Sequence, residues 1–76
     1  MTRVALVTGS AGGIGRAIAV ALQDVGMEVI GVDRVPQDDG VLGRSEVVDL
    51  AEIDACEALM RRVGRVDVLV NNAGIT

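Results

Sequence analysis

The sequence contains no histidine, lysine, tyrosine, phenylalanine or tryptophan, one cysteine and one proline. Each gap removes a class of function. Without histidine there is no Ser-His-Asp or Cys-His nucleophilic site. Without lysine or tyrosine there is no lysine Schiff base and no Tyr/Lys acid–base pair. One thiol and no imidazole leave a metal site short of ligands. Stacking on nucleic-acid bases has no aromatic platform. A single cysteine makes no internal disulfide, which suits a reducing compartment. No apolar run approaches the length of a membrane span. The opening MTRVALVTG differs from a secretory signal, because glycine and polar residues follow its short apolar stretch at once. A cytoplasmic location is expected.

What is present is compact and acidic. The 76 residues are 50% apolar and 24% charged, with a net charge of −4 and seven basic residues, all of them Arg. Mean hydropathy is +0.46. This is a globular composition, with room for one domain over residues 1–76 and no second. A chain of this size buries only roughly 60–65% of its unfolded surface. The negative charge disfavours nucleic acid and anionic membrane as partners. Function must rest on backbone groups, carboxylates, amides and Arg.

Short apolar runs alternate with helical stretches. Residues 3–8 (RVALVT) read as a strand buried on both faces, ending in the turn 9–13 (GSAGG). Ile14, Ile18, Ala21, Leu22 and Val25 recur at helical spacing, and Gly26 sits where a C-terminal cap belongs. Residues 28–33 (EVIGVD) form a second strand and 34–44 a loop with Pro36, Asp38, Asp39, Gly40 and Gly43. A short third strand covers 45–49. A helix over about 50–63 carries Ile53, Cys56, Leu59, Met60 and Val63 on one face, with Asp49 and Glu52 as a capping box and Gly64 as its end. Residues 66–70 (VDVLV) form the fourth strand. This order means βαβ units, a parallel sheet and the α/β class. Right-handed crossovers give the spatial order 3-2-1-4, the first half of a doubly wound fold. The connection 34–44 is short for a parallel crossover. VDVLV would be an apolar, unpaired edge, open to self-association.

The sharpest chemical feature is Thr8-Gly9-Ser10-Ala11-Gly12-Gly13-Ile14-Gly15, between a strand and a helix. Glycines there reach φ > 0 and let backbone approach a ligand. The helix start adds unpaired N–H groups and a partial positive charge, which together suit phosphate. It is neither a Walker A loop, since no Lys follows, nor a strict G-x-G-x-x-G. The bland alternative is a tight turn without a ligand. Asp33 ends the second strand at a spacing from the Gly loop that suits an acidic residue on a ribose 2′-OH; the lesser alternative is a turn former before Val35-Pro36. Arg34 beside it could accommodate a 2′-phosphate. Asp49 fits a helix N-cap and a ligand contact alike. Cys56, Met27 and Met60 read as core residues, and Asp38-Asp39 as a solvated pair. Asn71-Asn72-Ala73-Gly74 follows the fourth strand, beside the Gly loop, where its amides either tie loops together or meet a ribose.

With these residues the chain resembles the short-chain dehydrogenase/reductase family. The matching motifs are T-G-x-x-x-G-x-G at Thr8–Gly15, Asp33 ending strand two, Asp49-Leu50 after strand three, and N-N-A-G at Asn71–Gly74. The likeness covers essentially the whole chain and looks strongest to the branch with 3-oxoacyl-carrier-protein reductases and polyol and steroid dehydrogenases. It implies the first half of a Rossmann-type sheet and a nicotinamide cofactor. By resemblance, Gly9, Ser10, Gly12, Gly13, Ile14 and Gly15 would hold the pyrophosphate and neighbouring ribose. Asp33, with Arg34, would meet the adenosine ribose, and Asp49 and Leu50 the adenine. Asn72, Ala73 and Gly74 would line the cofactor's ribose region, and Asn71 would brace the sheet. Family members that prefer NADP often carry a basic residue at the position of Gly12, so Gly12 and Asp33 together favour NAD. The family's Ser and Tyr-x-x-x-Lys region is absent. The expectation is therefore the cofactor-binding half of an oxidoreductase, with a small-molecule substrate met only in a longer form. Two alternatives stay open. One is a non-catalytic dinucleotide-binding or fold-complementing module. The other is part of an S-adenosylmethionine-binding methyltransferase, which would share the Gly loop and the acidic residue.

Overall fold

A computed structural model of the protein describes residues 2–37 and 42–72. Six elements follow in order: β1 (Val4–Thr8), α1 (Gly13–Asp24), β2 (Glu28–Asp33), β3 (Arg44–Val47), α2 (Ile53–Val63) and β4 (Val68–Val70). The strands form one sheet in the order β3-β2-β1-β4, and every pairing is parallel. The expected α/β class and 3-2-1-4 order are both present. The connection from β2 to β3 contains no helix among its described residues. The pair Asp38-Asp39, and Gly40 beside it, lie outside the described residues.

The continuous apolar run of β1 has a structural cause. Alternate side chains point to opposite faces of a strand, and here a helix covers each face. Leu6, Ile30 and Val32 pack with Val48 and with Leu59 of α2, while Ala5, Val7 and Val29 pack with Ala19 of α1. The sheet is thus the middle of three layers, as parallel sheets generally are.

Helix α1 turns a different face inward than its apolar periodicity suggests, while α2 keeps the expected Leu59 and Val63 inside and turns Ile53 and Met60 out. In α1 the buried positions are Gly15 and Ala19, with Leu22 packed beside them. Ile14 and Val25 are 70% and 75% exposed. In α2, Leu59 is buried and Ala55 and Val63 pack against the same core, whereas Ile53 is 75% exposed and Met60 47%. In α1, small residues let the helix approach the sheet closely, so alanine and glycine take the positions that the larger residues were expected to fill. Met27 does pack against the core. Cys56 is only partly buried, and its Sγ donates to the Leu50 carbonyl at 3.4 Å.

Helix ends follow local chemistry. Gly26 has φ +94°. Its N–H bonds Gln23 O at 3.0 Å while that of Met27 bonds Leu22 O at 3.2 Å, the double closure of a Schellman cap. Gly64 (φ +75°) ends α2, donating to Met60 O at 3.1 Å. The start of α2 differs from expectation. Asp49 does not cap it: its Oδ1 accepts the Ala51 N–H at 3.0 Å and its carbonyl accepts the Glu52 N–H at 3.0 Å. A short carboxylate reaches the N–H two residues on, making a turn that delays the helix to Ile53.

One ion-pair cluster ties β3 to α2. Glu46 accepts from Arg62 at 2.9 Å and from Arg44 at 3.3 Å. The hydrogen bond from Arg62, above all, holds the Glu46 carboxyl below its ordinary range; burial opposes it, and the charge of Arg62 and the contact with Arg44 add to the lowering. A carboxylate whose pKa is lowered by folding stabilises the fold fully above its unfolded value and loses that contribution as pH falls through the lowered value. Glu46→Gln should therefore cost less than about 1 kcal/mol at neutral pH, as half-exposed pairs do. Thermal melts of both proteins across the acid range should converge once pH drops below that lowered value.

Candidate functional site

At the C-terminal ends of β1, β2 and β4 the chain builds one connected arrangement around residues 8–15. The turn out of β1 is held from the β2 side by three successive amides. Gly9 and Ser10 donate to Val32 O at 2.8 and 3.3 Å. Ala11 donates to Asp33 Oδ2 at 3.0 Å. Asp33 Oδ1 accepts the Val35 N–H at 3.3 Å, which folds the chain beyond β2 back on itself and leaves Arg34 exposed.

From the other side the turn is held by the residues after β4. Thr8 is 5% exposed and its hydroxyl is a junction. It accepts the Asn72 N–H at 3.0 Å and lies 3.3 Å from Asn71 Oδ1 and 3.4 Å from Val70 O, both acceptors for its proton. The Asn72 side chain donates to Gly9 O at 3.3 Å. Bracing was expected of Asn71 and ligand contact of Asn72. Both asparagines brace the turn, and it is the Asn72 side chain that reaches the Gly loop. Ala73 and Gly74 lie outside the described residues.

The glycines divide into two kinds. Gly15 is buried, and a Cβ there would overlap the Gly9 carbonyl and stand 2.5 Å from Asn72 Nδ2. It is glycine because α1 must press onto the turn. Gly12 and Gly13 are exposed, with no described residue within 4 Å of an added Cβ. Gly13 has φ +62°, a conformation other residues rarely adopt. These two present bare backbone to an open space at the start of α1. Among the described residues no side chain caps that helix, and no acidic residue sits in its first turn. The N–H groups of Gly13, Ile14 and Gly15 have no carbonyl one turn behind them; the first to close is Arg16, onto Gly12 O at 3.4 Å. Geometry and dipole together are what an anion cradle requires.

Ser10 is fully buried and its Oγ has no hydrogen-bond partner among the described residues. It lies over Gly31, where a Cβ would come within 2.6 Å of that oxygen and 2.7 Å of Leu42 Cδ1. Its hydroxyl therefore faces the sheet, and Ser10 offers the cradle side backbone alone. Asp49 and Leu50, exposed, follow β3 on the far side of Asp33. No cluster of His, Cys, Asp or Glu able to hold a metal occurs among the described residues. No helix among them is long and apolar enough to cross a membrane.

Sequence reasoning missed the Thr8 junction, the Ala11–Asp33 bond and the Gly31 contact. Thr8 reads as one more β-branched strand residue, and no periodicity announces a partner more than sixty positions away.

The short chain dehydrogenase family model matches residues 3–76. The chain belongs to the short chain dehydrogenase family. L-xylulose reductase of Mus musculus is 43% identical over 79 residues, covering 96% of this chain and 32% of the relative. The 3-oxoacyl-[acyl-carrier-protein] reductase of Haemophilus influenzae is 39% identical over 85 residues, covering 97% and 35%. Among solved structures, ligand-free aldohexose dehydrogenase of Thermoplasma acidophilum matches with a TM-score of 0.85 at 35% identity, over 97% of this chain and 30% of that one. A family protein of Agrobacterium tumefaciens solved with bound NAD matches with a TM-score of 0.77 at 32% identity, over 97% and 21%. The chain thus spans about a third of the length of the curated relatives it matches. What it carries of the family fold is the NAD(P)-binding, Rossmann-type part.

Proposed function

We propose that residues 1–76 are the dinucleotide-binding half-domain of an NAD-dependent oxidoreductase acting on a carbonyl or alcohol substrate. The observation that carries this reading is the carboxylate of Asp33, held 3.0 Å from the Ala11 N–H at the rim of the anion cradle. A dinucleotide needs an anion site and a diol acceptor side by side, and these residues supply both. The open backbone of Gly12 and Gly13 and the first N–H groups of α1 would hold the pyrophosphate. Asp33 would accept from the adenosine ribose hydroxyls and repel a 2′-phosphate, which favours NAD over NADP. Asp49 and Leu50 would border the adenine, and Ile14, 70% exposed, would flank the bound chain. Gly9, Ser10, Gly15 and Asn72 would keep the cradle in shape, and Ala73 and Gly74 would continue it. Bound there, the nicotinamide supplies hydride transfer.

Within these residues no tyrosine or lysine can protonate a substrate oxygen. That favours, as the second reading, a dinucleotide-binding role without turnover for this chain acting alone.

Titration of the chain into NADH, followed by nicotinamide fluorescence, tests the proposal against almost no protein background, since Trp and Tyr are absent. The expected result is saturable enhancement, with NADPH binding roughly tenfold more weakly, the scale of one charge-assisted hydrogen bond. No enhancement with either cofactor would sink the reading. NADPH binding the tighter would reverse the cofactor assignment.

A further inference from the structure

Two of the three crossovers in this sheet carry a helix, α1 between β1 and β2 and α2 between β3 and β4. The third, from β2 to β3, carries none among its described residues. Its last residues dock on the α1 side of the sheet instead. The Leu42 side chain packs against the cluster of Ala5, Val7, Ala19 and Val29. The Gly43 N–H donates to Gln23 Oε1, near the end of α1, at 3.0 Å. Beside them lies Gly31, buried in β2 and in register with Val7 and Ser45. The space that its missing side chain leaves is entered from two directions. Ser10 Oγ, from the turn after β1, stands 2.6 Å from where a Cβ would lie, and Leu42 Cδ1 stands 2.7 Å from the same point. The glycine turn and the end of the crossover close on one position.

We propose that Leu42, tethered through Gly43 to Gln23, is a positioning residue for the glycine turn. The Ser10 hydroxyl has no hydrogen-bond partner among the described residues, so packing alone fixes that side chain. Leu42 supplies this packing over Gly31. Ser10 is also the middle of the turn, and its N–H and that of Gly9 both bond Val32 O. A Ser10 side chain released from Gly31 loosens those bonds, and the backbone of Gly12 and Gly13 beyond them. The consequence for a ligand rests on the dinucleotide reading above; the packing does not. Leu42 acts on the backbone that would hold the pyrophosphate, a group common to NAD and NADP. It therefore sets affinity for both and selectivity for neither.

The test is Leu42→Ala, read by amide–solvent exchange in NMR without cofactor and by titration with NADH and NADPH. Measured against the Leu6 and Ile30 amides of the sheet, the Ser10 amide should exchange about tenfold faster in the variant, because a void loosens what the leucine faced. Both cofactors should bind about tenfold more weakly, with their ratio unchanged. Leu42→Met, which conserves volume, should restore both readouts. Exchange that rises equally at Ser10, Leu6 and Ile30 would show a contribution to overall stability only, and would overturn the proposal. So would a shifted ratio of NADH to NADPH affinity, or affinities equal to those of the wild type. If the alanine variant does not fold, Gln23→Ala decides. It frees the exposed Gly43 N–H and should speed Ser10 exchange about threefold relative to the sheet; no change would overturn the proposal. A wild-type chain that binds neither cofactor would refute the dinucleotide reading alone, since the exchange comparison still decides whether Leu42 holds the turn.

Discussion

Replacing Gly15 by alanine should destabilise the protein by about 3 kcal/mol, although it improves intrinsic helix propensity. Position 15 lies in the first turn of α1, where Gly→Ala ordinarily stabilises a helix by up to about 1 kcal/mol. Here the added carbon would overlap the Gly9 carbonyl and crowd the Asn72 amide. The first of these is backbone, itself anchored because the Gly9 N–H bonds Val32 O at 2.8 Å. It cannot rotate aside as a side-chain tip would. Either α1 lifts from the sheet, loosening Ala19 and Leu22, or the turn moves and the cradle opens. In a domain of this size the cost corresponds to a drop in Tm on the order of 15 °C, measurable by circular dichroism. An unchanged or raised Tm would mean that α1 is not held against the turn as described. Gly12→Ala makes the control. It meets no described residue within 4 Å and should leave Tm nearly unchanged.

Thr8→Val should cost about 2 kcal/mol, with a loss of roughly 10 °C in Tm. The exchange conserves shape, and valine is the stronger strand former. Propensity alone would predict a neutral or stabilising effect. The hydroxyl, however, is the buried point at which the segment after β4 meets β1. Removing it strands the Asn72 N–H, which donates to Thr8 Oγ1 at 3.0 Å, and takes a donor from the Val70 and Asn71 oxygens. A buried donor left unpaired loses its water as well as its partner. Thr8→Ser keeps the hydroxyl and should recover most of the loss. If the valine variant melts with the wild type, Thr8 is a strand residue and no more. The same variant should weaken NADH binding, because Asn72 would then hold Gly9 O without its own backbone anchor.

Much of this fold was legible in the sequence. A β-branched run ending in glycines, two helical stretches closed by Gly26 and Gly64, and strands alternating with helices specify a parallel α/β sheet, because each is a local property of backbone freedom and side-chain shape. The motif spacing from Thr8 to Asn72 carried the family likeness in the same way. Helix orientation was less legible. Apolar periodicity marks a face but not which of two neighbouring faces docks, and in α1 close approach selected Gly15 and Ala19 over Ile14 and Val25.

By itself, then, the sequence determined the strand order, the placement of the glycine turn after β1 and the exclusion of tyrosine, lysine or histidine chemistry within these residues. It did so because turn glycines, strand runs and missing side chains act locally or not at all. Tertiary structure alone decided the rest. Asp49 spends its carboxylate on a turn, Ser10 faces the sheet, Asn72 reaches back to Gly9, and both oxygens of Asp33 hold backbone amides. A hydrogen bond depends on which donor arrives within about 3 Å. For segments tens of residues apart, the packing of the sheet and its two helices decides that.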